Sequence, residues 1–158
     1  MRILFVCHGN ICRSPMAQAI MENLVKIRGL QDKIHCDSKA THTDEIGSAP
    51  YYETKRVLRE KAVPLMAHVA TQITKADFEK FDLILCMDEE NMRALARIFG
   101  QNSPKVKFLL EFAVGQNAPK SQKIIADPYY TRDFESCYDD IAKSCEALMQ
   151  KIENLESF

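Results

Sequence analysis

Cys7-His8-Gly9-Asn10-Ile11-Cys12-Arg13-Ser14 concentrates more chemistry than any other stretch of this sequence, with a thiol and a guanidinium six positions apart and a hydroxyl next. The run lies between an apolar stretch and one of helical periodicity, so it reads as a loop joining a strand to a helix. A loop wound tightly before a helix aims successive backbone N–H groups at one point and creates an anion nest. Gly9 and Asn10 are residue types that tolerate the left-handed conformations such winding requires. The positive end of the helix favours a thiolate, so Cys7 is expected to be the nucleophile. Arg13 offers a planar fork able to grip two phosphoryl oxygens. Ser14 either donates a hydrogen bond to the thiolate or caps the helix.

The elements that must hold this loop follow from the pattern around it. Residues 2–6 form a short apolar run and read as a buried strand. Ser14-Pro15 resembles an N-cap followed by proline at the first helical position, and residues 16–28 carry apolar side chains at helical spacing until Gly29. Residues 33–37 are a weaker strand, and residues 50–61 a helix. Residues 81–87 are the clearest buried strand, after which Asp88-Glu89-Glu90 opens a helix with acidic charge near its N-terminus. Residues 105–109 give a fourth strand, and residues 133–155 a last amphipathic helix. Between these two, residues 111–132 hold Gly115, Pro119 and Pro128 without a period, and read as a long functional loop. Strands alternating with helices predict an α/β sandwich around a parallel sheet, with ligands beyond the carboxyl ends of the strands.

Composition narrows the partners. The 158 residues match one domain, residues 1–158, of ordinary globular make-up, 46% apolar and 27% charged. Lys and Arg number 21 against 22 Asp and Glu, without a basic block, so nucleic acid is not an expected partner. The apolar runs fall far short of the roughly 18–20 residues of a membrane helix, and no membrane association is expected. His8, Asn10 and Arg13 interrupt the apolar start too early for a signal peptide. None of Cys36, Cys86, Cys137 and Cys145 forms a C-x-x-C pair or shares ligand spacing with a histidine, so neither a metal nor another cofactor is expected. Reduced thiols and a cytoplasmic monomer are the expectation.

The run Val6-Cys7-His8-Gly9-Asn10-Ile11-Cys12-Arg13-Ser14-Pro15 resembles the signature of the low-molecular-weight protein tyrosine phosphatases. Further similarity lies at His68-Val69-Ala70-Thr71-Gln72, at residues 81–91 and at Asp127-Pro128-Tyr129-Tyr130, and so spans nearly the whole chain. The resemblance implies a three-layer α/β sandwich with a four-stranded parallel sheet of order 2-1-3-4 and a phosphate-binding loop after strand 1. It also implies hydrolysis of phosphotyrosine and aryl phosphate monoesters through a phosphocysteine, without a metal. The substrate is then a tyrosine-phosphorylated protein or a small aryl phosphate. Cys7, Arg13 and Asp127 become the catalytic residues. His8, Gly9, Asn10, Ile11, Cys12, Arg13 and Ser14 bind phosphate, and Tyr129 and Tyr130 meet the ring.

Expelling a phenolate, whose conjugate acid has a pKa near 10, calls for a proton donor at neutral pH. Asp127 is held extended by Pro128, and Tyr129 and Tyr130 are able to stack on an aromatic ring. On residues alone this motif reads equally as a turn with partly exposed aromatics; the resemblance makes Asp127 the general acid. It likewise implies that His68 supports the loop near Asn10 or Ser14. Asp88 reads as a helix cap, in a neighbourhood resembling family residues packed behind the site. Cys12 is either a partner for a disulfide with Cys7 or a buried bystander.

The sequence departs from the family's pattern in two places. Ser38-Lys39-Ala40-Thr41 stands where Ser-Ala-Gly-Thr is frequent, and Thr43-Asp44-Glu45-Ile46 replaces a frequent aromatic rim with acidic groups. Two alternatives accompany the phosphatase reading. An arsenate reductase of the same fold needs two further cysteines close together, whereas Cys86 has Cys137 as its next neighbour. A non-catalytic phosphopeptide-binding module has no use for both Cys7 and Asp127.

Overall fold

The computed structural model describes residues 1–155. Strand β1 (Arg2–Cys7) runs into the loop and helix α1 (Arg13–Ile27), followed by β2 (His35–Ala40) and α2 (Tyr52–Glu60). Then come α3 (Asp77–Lys80), β3 (Leu83–Cys86), α4 (Glu89–Phe99) and β4 (Val106–Phe108). Two short helices, α5 (Glu111–Val114) and α6 (Pro128–Thr131), precede the long α7 (Phe134–Glu153). All strand pairs are parallel and the sheet order is β2-β1-β3-β4, as the resemblance implies.

The apolar runs of β1 and β3 are continuous because both sheet faces are covered. Strand alternation sends Ile3, Phe5, Leu83 and Leu85 into one cluster with Met16, Ile20 and Met21 of α1 and Ile141, Cys145 and Leu148 of α7. Leu4, Val6, Ile84 and Cys86 point the other way, against Leu95 and Phe99 of α4. Phe5 is fully buried, and its truncation to alanine is expected to cost about 3–5 kcal/mol.

Three expectations need correction. The second strand lies at His35–Ala40 rather than 33–37. Its composition, His-Cys-Asp-Ser-Lys-Ala, is too polar to show itself, and pairing with β1 extends it to Ala40 opposite Cys7. Helix α1 begins at Arg13 with Cys12 as its N-cap residue, so Ser14 lies inside the first turn and caps nothing. Pro15 is tolerated there because the first turn's N–H groups have no intrahelical acceptor. Residues 111–132 are not one irregular loop: they hold α5, a 3₁₀ turn at Lys120–Gln122, and α6. Each is too short for a helical period to register. Gly29 does close α1, at φ +68°.

Candidate active site

The loop leaves the carboxyl end of β1, the central position between β2 and β3, where the strand ends open a cleft. Neighbouring segments fix its course. Cys7 O accepts Thr41 N–H at 2.9 Å, His8 O accepts His42 N–H at 3.1 Å, and Ile11 O accepts Tyr51 N–H at 2.8 Å. The turn itself depends on Asn10, which is fully buried at φ +60°. Its amide nitrogen donates to Ser14 Oγ at 2.7 Å and Ser38 Oγ at 3.0 Å, and its amide oxygen accepts Thr71 N–H at 3.1 Å. These bonds offset the cost of a left-handed side-chain-bearing residue. Gly9 was expected to share that role, yet its φ is not positive. Its missing side chain serves another purpose: a Cβ there would stand 3.3 Å from Cγ of Glu45.

Cys7 sits at the floor, 3% exposed. Its sulfur accepts Asn10 N–H at 3.3 Å and lies 3.0 Å from Ser14 Oγ. Of the two roles open to Ser14, contact with the thiol is therefore the observed one. His68 Nε2 lies 3.2 Å from Asn10 O, which places it behind the loop and out of the cavity. The parallel bridge between Ala40 and Gln72 carries its segment there.

Arg13 is almost fully buried, and its guanidinium is held by three groups. Nη1 donates to Asp88 Oδ2 at 2.7 Å and to Ile125 O at 3.0 Å, while Nη2 lies 3.3 Å from Asp127 Oδ2. Burial opposes its charge, but Cys7, Asp127 and Asp88 outweigh that and push its pKa above the ordinary arginine value. Asp88 is the residue that sequence reasoning undervalued. It caps α4 in a reciprocal capping box with Asn91, as expected, and its second oxygen orients Arg13. The cap was visible in Asp88-Glu89-Glu90; the ion pair spans 75 positions and left no local signal.

Asp127 is extended, at φ −74° and ψ 112°, and caps α6 by accepting Tyr129 N–H at 3.1 Å. Ile125 N–H donates to Met87 O at 2.9 Å, which returns this segment over the end of β3 and brings Asp127 to the loop. Tyr129 packs edge-on to Tyr51 with ring centroids 5.6 Å apart, and Tyr130 is largely exposed.

Around Cys7 these groups enclose a cavity of about 450 Å³. Of the expected site residues, His8, Gly9, Ile11, Cys12 and Arg13 line it together with Asp127, Tyr129 and Tyr130. Asn10, Ser14 and His68 stand behind it. Asp44, Glu45 and Glu90 join the mouth, so the acidic segment after β2 faces the cleft. Cys12 is buried beside Val57 and Phe134, and burial together with the Cys7 charge pushes its thiol up to about 12. Burial likewise raises Cys86, Cys137 and Cys145 far above the ordinary thiol value. All six cysteines are free. No helix among the described residues is long and apolar enough to cross a membrane.

A buried thiol in a tight turn, with an arginine and a carboxyl group facing it at the end of a parallel α/β sheet, is an arrangement able to support cysteine-dependent phosphoryl chemistry. The family model described as low molecular weight phosphotyrosine protein phosphatase matches residues 2–157, and the chain belongs to that family. A Homo sapiens protein named low molecular weight phosphotyrosine protein phosphatase is 44% identical over 152 residues, covering 94% of each chain. Its Gallus gallus namesake is 43% identical over the same length, again covering 94% of each. The crystal structure of YfkJ from Bacillus subtilis superposes with a TM-score of 0.91 at 35% identity, covering 99% of this chain and 97% of that one. Family membership carries the cysteine-dependent hydrolase class with it, and neither alternative is favoured.

Proposed function

We propose that this protein hydrolyses phosphotyrosine in proteins, and small aryl phosphates, through a phosphocysteine on Cys7. The observation that carries the reading is the convergence of Cys7, Arg13 and Asp127 on one cavity, with Asp127 Oδ2 3.3 Å from Arg13 Nη2. The phosphoryl group binds in the turn, its equatorial oxygens facing the loop N–H groups and the Arg13 fork. The Cys7 thiolate attacks phosphorus in line while Asp127 protonates the departing phenolate oxygen. Positive potential from Arg13 and the amides stabilises the charge on the oxygens, so the step calls on no metal. Asp127, now a carboxylate, then takes a proton from water as that water attacks the phosphocysteine, which releases phosphate and restores the thiolate.

Ser14 holds the sulfur, and His68 and Asn10 hold the turn. Ile11, Tyr129 and Tyr130 wall the cavity where an aryl ring would lie. A nucleophile at the floor favours the long reach of a phosphorylated tyrosine over shorter phosphorylated side chains. Every group used comes from one chain, which suits a monomer, and six free thiols suit the reducing cytoplasm. Rapid acid quenching during turnover of an aryl phosphate tests the intermediate directly. Mass spectrometry should place phosphate on Cys7; phosphate on Ser14, or none on the protein, would overturn the assignment.

A further inference from the structure

At the cavity mouth the imidazole of His8 stands between two carboxylates from different elements. Nε2 lies 2.9 Å from Asp44 Oδ2, in the turn after β2, and Nδ1 lies 2.7 Å from Glu90 Oε1, in the first turn of α4. Ionised carboxylates only accept hydrogen bonds, so both ring nitrogens donate and the ring is an imidazolium. His42 covers one of its faces, stacked in parallel with centroids 4.0 Å apart, and is itself held through Nδ1 at 2.7 Å from Thr41 Oγ1. The backbone joins the same two residues, since His8 O accepts His42 N–H at 3.1 Å.

These bonds set the charge of the rim. Partial burial opposes the imidazolium, but Asp44 and Glu90 outweigh it and raise His8 above the ordinary histidine value of 6.5. The His8 bond in turn holds Asp44 below the ordinary aspartate value of 3.8. Other titratable groups surround the ring or the cavity: His42 on its face, Glu45 from the turn after β2, and Cys7, Arg13, Asp88 and Asp127 along the walls. Among the described residues the bonds to the His8 side chain come from Asp44 and Glu90, so these two carboxylates govern its second proton. A raised folded-state value means the clasp is complete below about pH 6.5 and is lost as pH rises through the value in the folded chain. A neutral ring keeps one N–H, and its other nitrogen then faces a carboxylate with no proton to share.

We propose that His8 is a positioning and specificity-determining residue for substrate entry: as an imidazolium it clasps Asp44 to Glu90 across the mouth and cancels one of their two charges. The inference rests on the phosphatase reading of the same cavity. With the clasp closed, the three side chains bring one net negative charge to the rim. With His8 neutral they bring two, and one carboxylate is freed. Selection against phosphotyrosine with acidic flanks therefore sharpens as His8 loses its proton.

Two phosphotyrosine peptides of equal length, one with acidic and one with uncharged flanks, give a KM ratio in which the titrations of phosphate, Cys7 and Asp127 cancel. The ratio is measured at low salt from about pH 5.5 to about pH 8.5, the range that brackets a histidine. In the parent it should rise with pH by about 1.4- to fivefold per flanking acid. His8→Leu should give a ratio already high at the acid end and flat. His8→Arg keeps a permanent cation between the carboxylates and should give a ratio that stays low and flat. Imidazole NMR reads the same proton without substrate: the His8 midpoint should lie above 6.5 and fall in Asp44→Asn. A parent ratio independent of pH, a rise that persists in His8→Leu, or a midpoint at or below 6.5 would each overturn the proposal while leaving the phosphatase reading in place. A parent inert on both peptides would overturn that reading and this proposal with it.

Discussion

In the proposed mechanism Asp127 and the phosphoryl group share one partner, Arg13. Asp127 Oδ2 lies 3.3 Å from Nη2 and borders the same cavity as Cys7. Asp127→Asn keeps the shape and removes the proton, so turnover of phenyl phosphates should fall most for poor leaving groups. A plot of rate against leaving-group pKa checks this; an equal fall for good and poor leaving groups would assign Asp127 another role. Thiol selectivity is a second consequence at this scale. Cys12 and Cys36, each pushed up to about 12 by burial, are protonated at neutral pH and should resist alkylation. Iodoacetate at neutral pH should therefore modify Cys7 first, with phosphate or vanadate protecting it, and peptide mapping reads the site. These residues were legible because Cys7, Arg13 and Ser14 lie within one short run, where spacing alone implies a strand-to-helix turn. The role of Ser14 was not: cap and thiol contact differ by a shift of the helix start, and Cys12 takes the cap position.

At the scale of elements, the turn depends on what β2 and the 70–73 segment hold against it. Ala40 N–H donates to Thr71 O, and Ile73 N–H donates to Ala40 O, both at 2.8 Å. Further along, Asp77 is fully buried and accepts from Lys39 Nζ at 3.0 Å and from Thr74 N–H at 2.7 Å. Burial alone would raise its pKa, but the Thr74 bonds and Lys39 reverse this and hold it below the ordinary aspartate value of 3.8. A depressed folded-state pKa means the carboxylate stabilises the fold above the unfolded value. That stabilisation is lost as pH falls through the folded value. Asp77→Ala should cost about 3 kcal/mol at neutral pH by stranding Lys39. Denaturant titrations should show the difference from the parent shrinking below about pH 4; a difference independent of pH would mean the ion pair contributes nothing. Little of this clasp was visible in Ser38-Lys39-Ala40-Thr41, because polar residues on an edge strand carry no period and their partners arrive from another segment. β1 and β3 were legible for the opposite reason: burial on both faces leaves an unbroken apolar run.

Over the whole molecule the formal charge is only −1, yet carboxylates gather at one mouth. Asp44, Glu45 and Glu90 all border the cavity; His8 bridges Asp44 and Glu90, and Glu45 lies beside them. Like charges at an exposed rim weaken binding by about 0.2–1 kcal/mol per pair, so substrates with acidic flanks should be disfavoured. The double variant Asp44→Asn, Glu45→Gln should lower KM for acidic phosphotyrosine peptides, most clearly at low salt, and leave small aryl phosphates nearly unchanged. An unchanged KM for the peptides would place specificity elsewhere. Sequence alone named Asp44 and Glu45 but not their direction, which rests on the packing of the turn after β2 against the loop, where a Cβ on Gly9 would crowd Glu45 Cγ at 3.3 Å. The proposed hydrolysis rests on Cys7 as its nucleophile. Para-nitrophenyl phosphate hydrolysis with excess chelator, comparing the parent with Cys7→Ser, tests that most directly. The parent should turn over and the variant should be inert; a parent that needs added metal, or a Cys7→Ser variant that retains activity, would contradict the account.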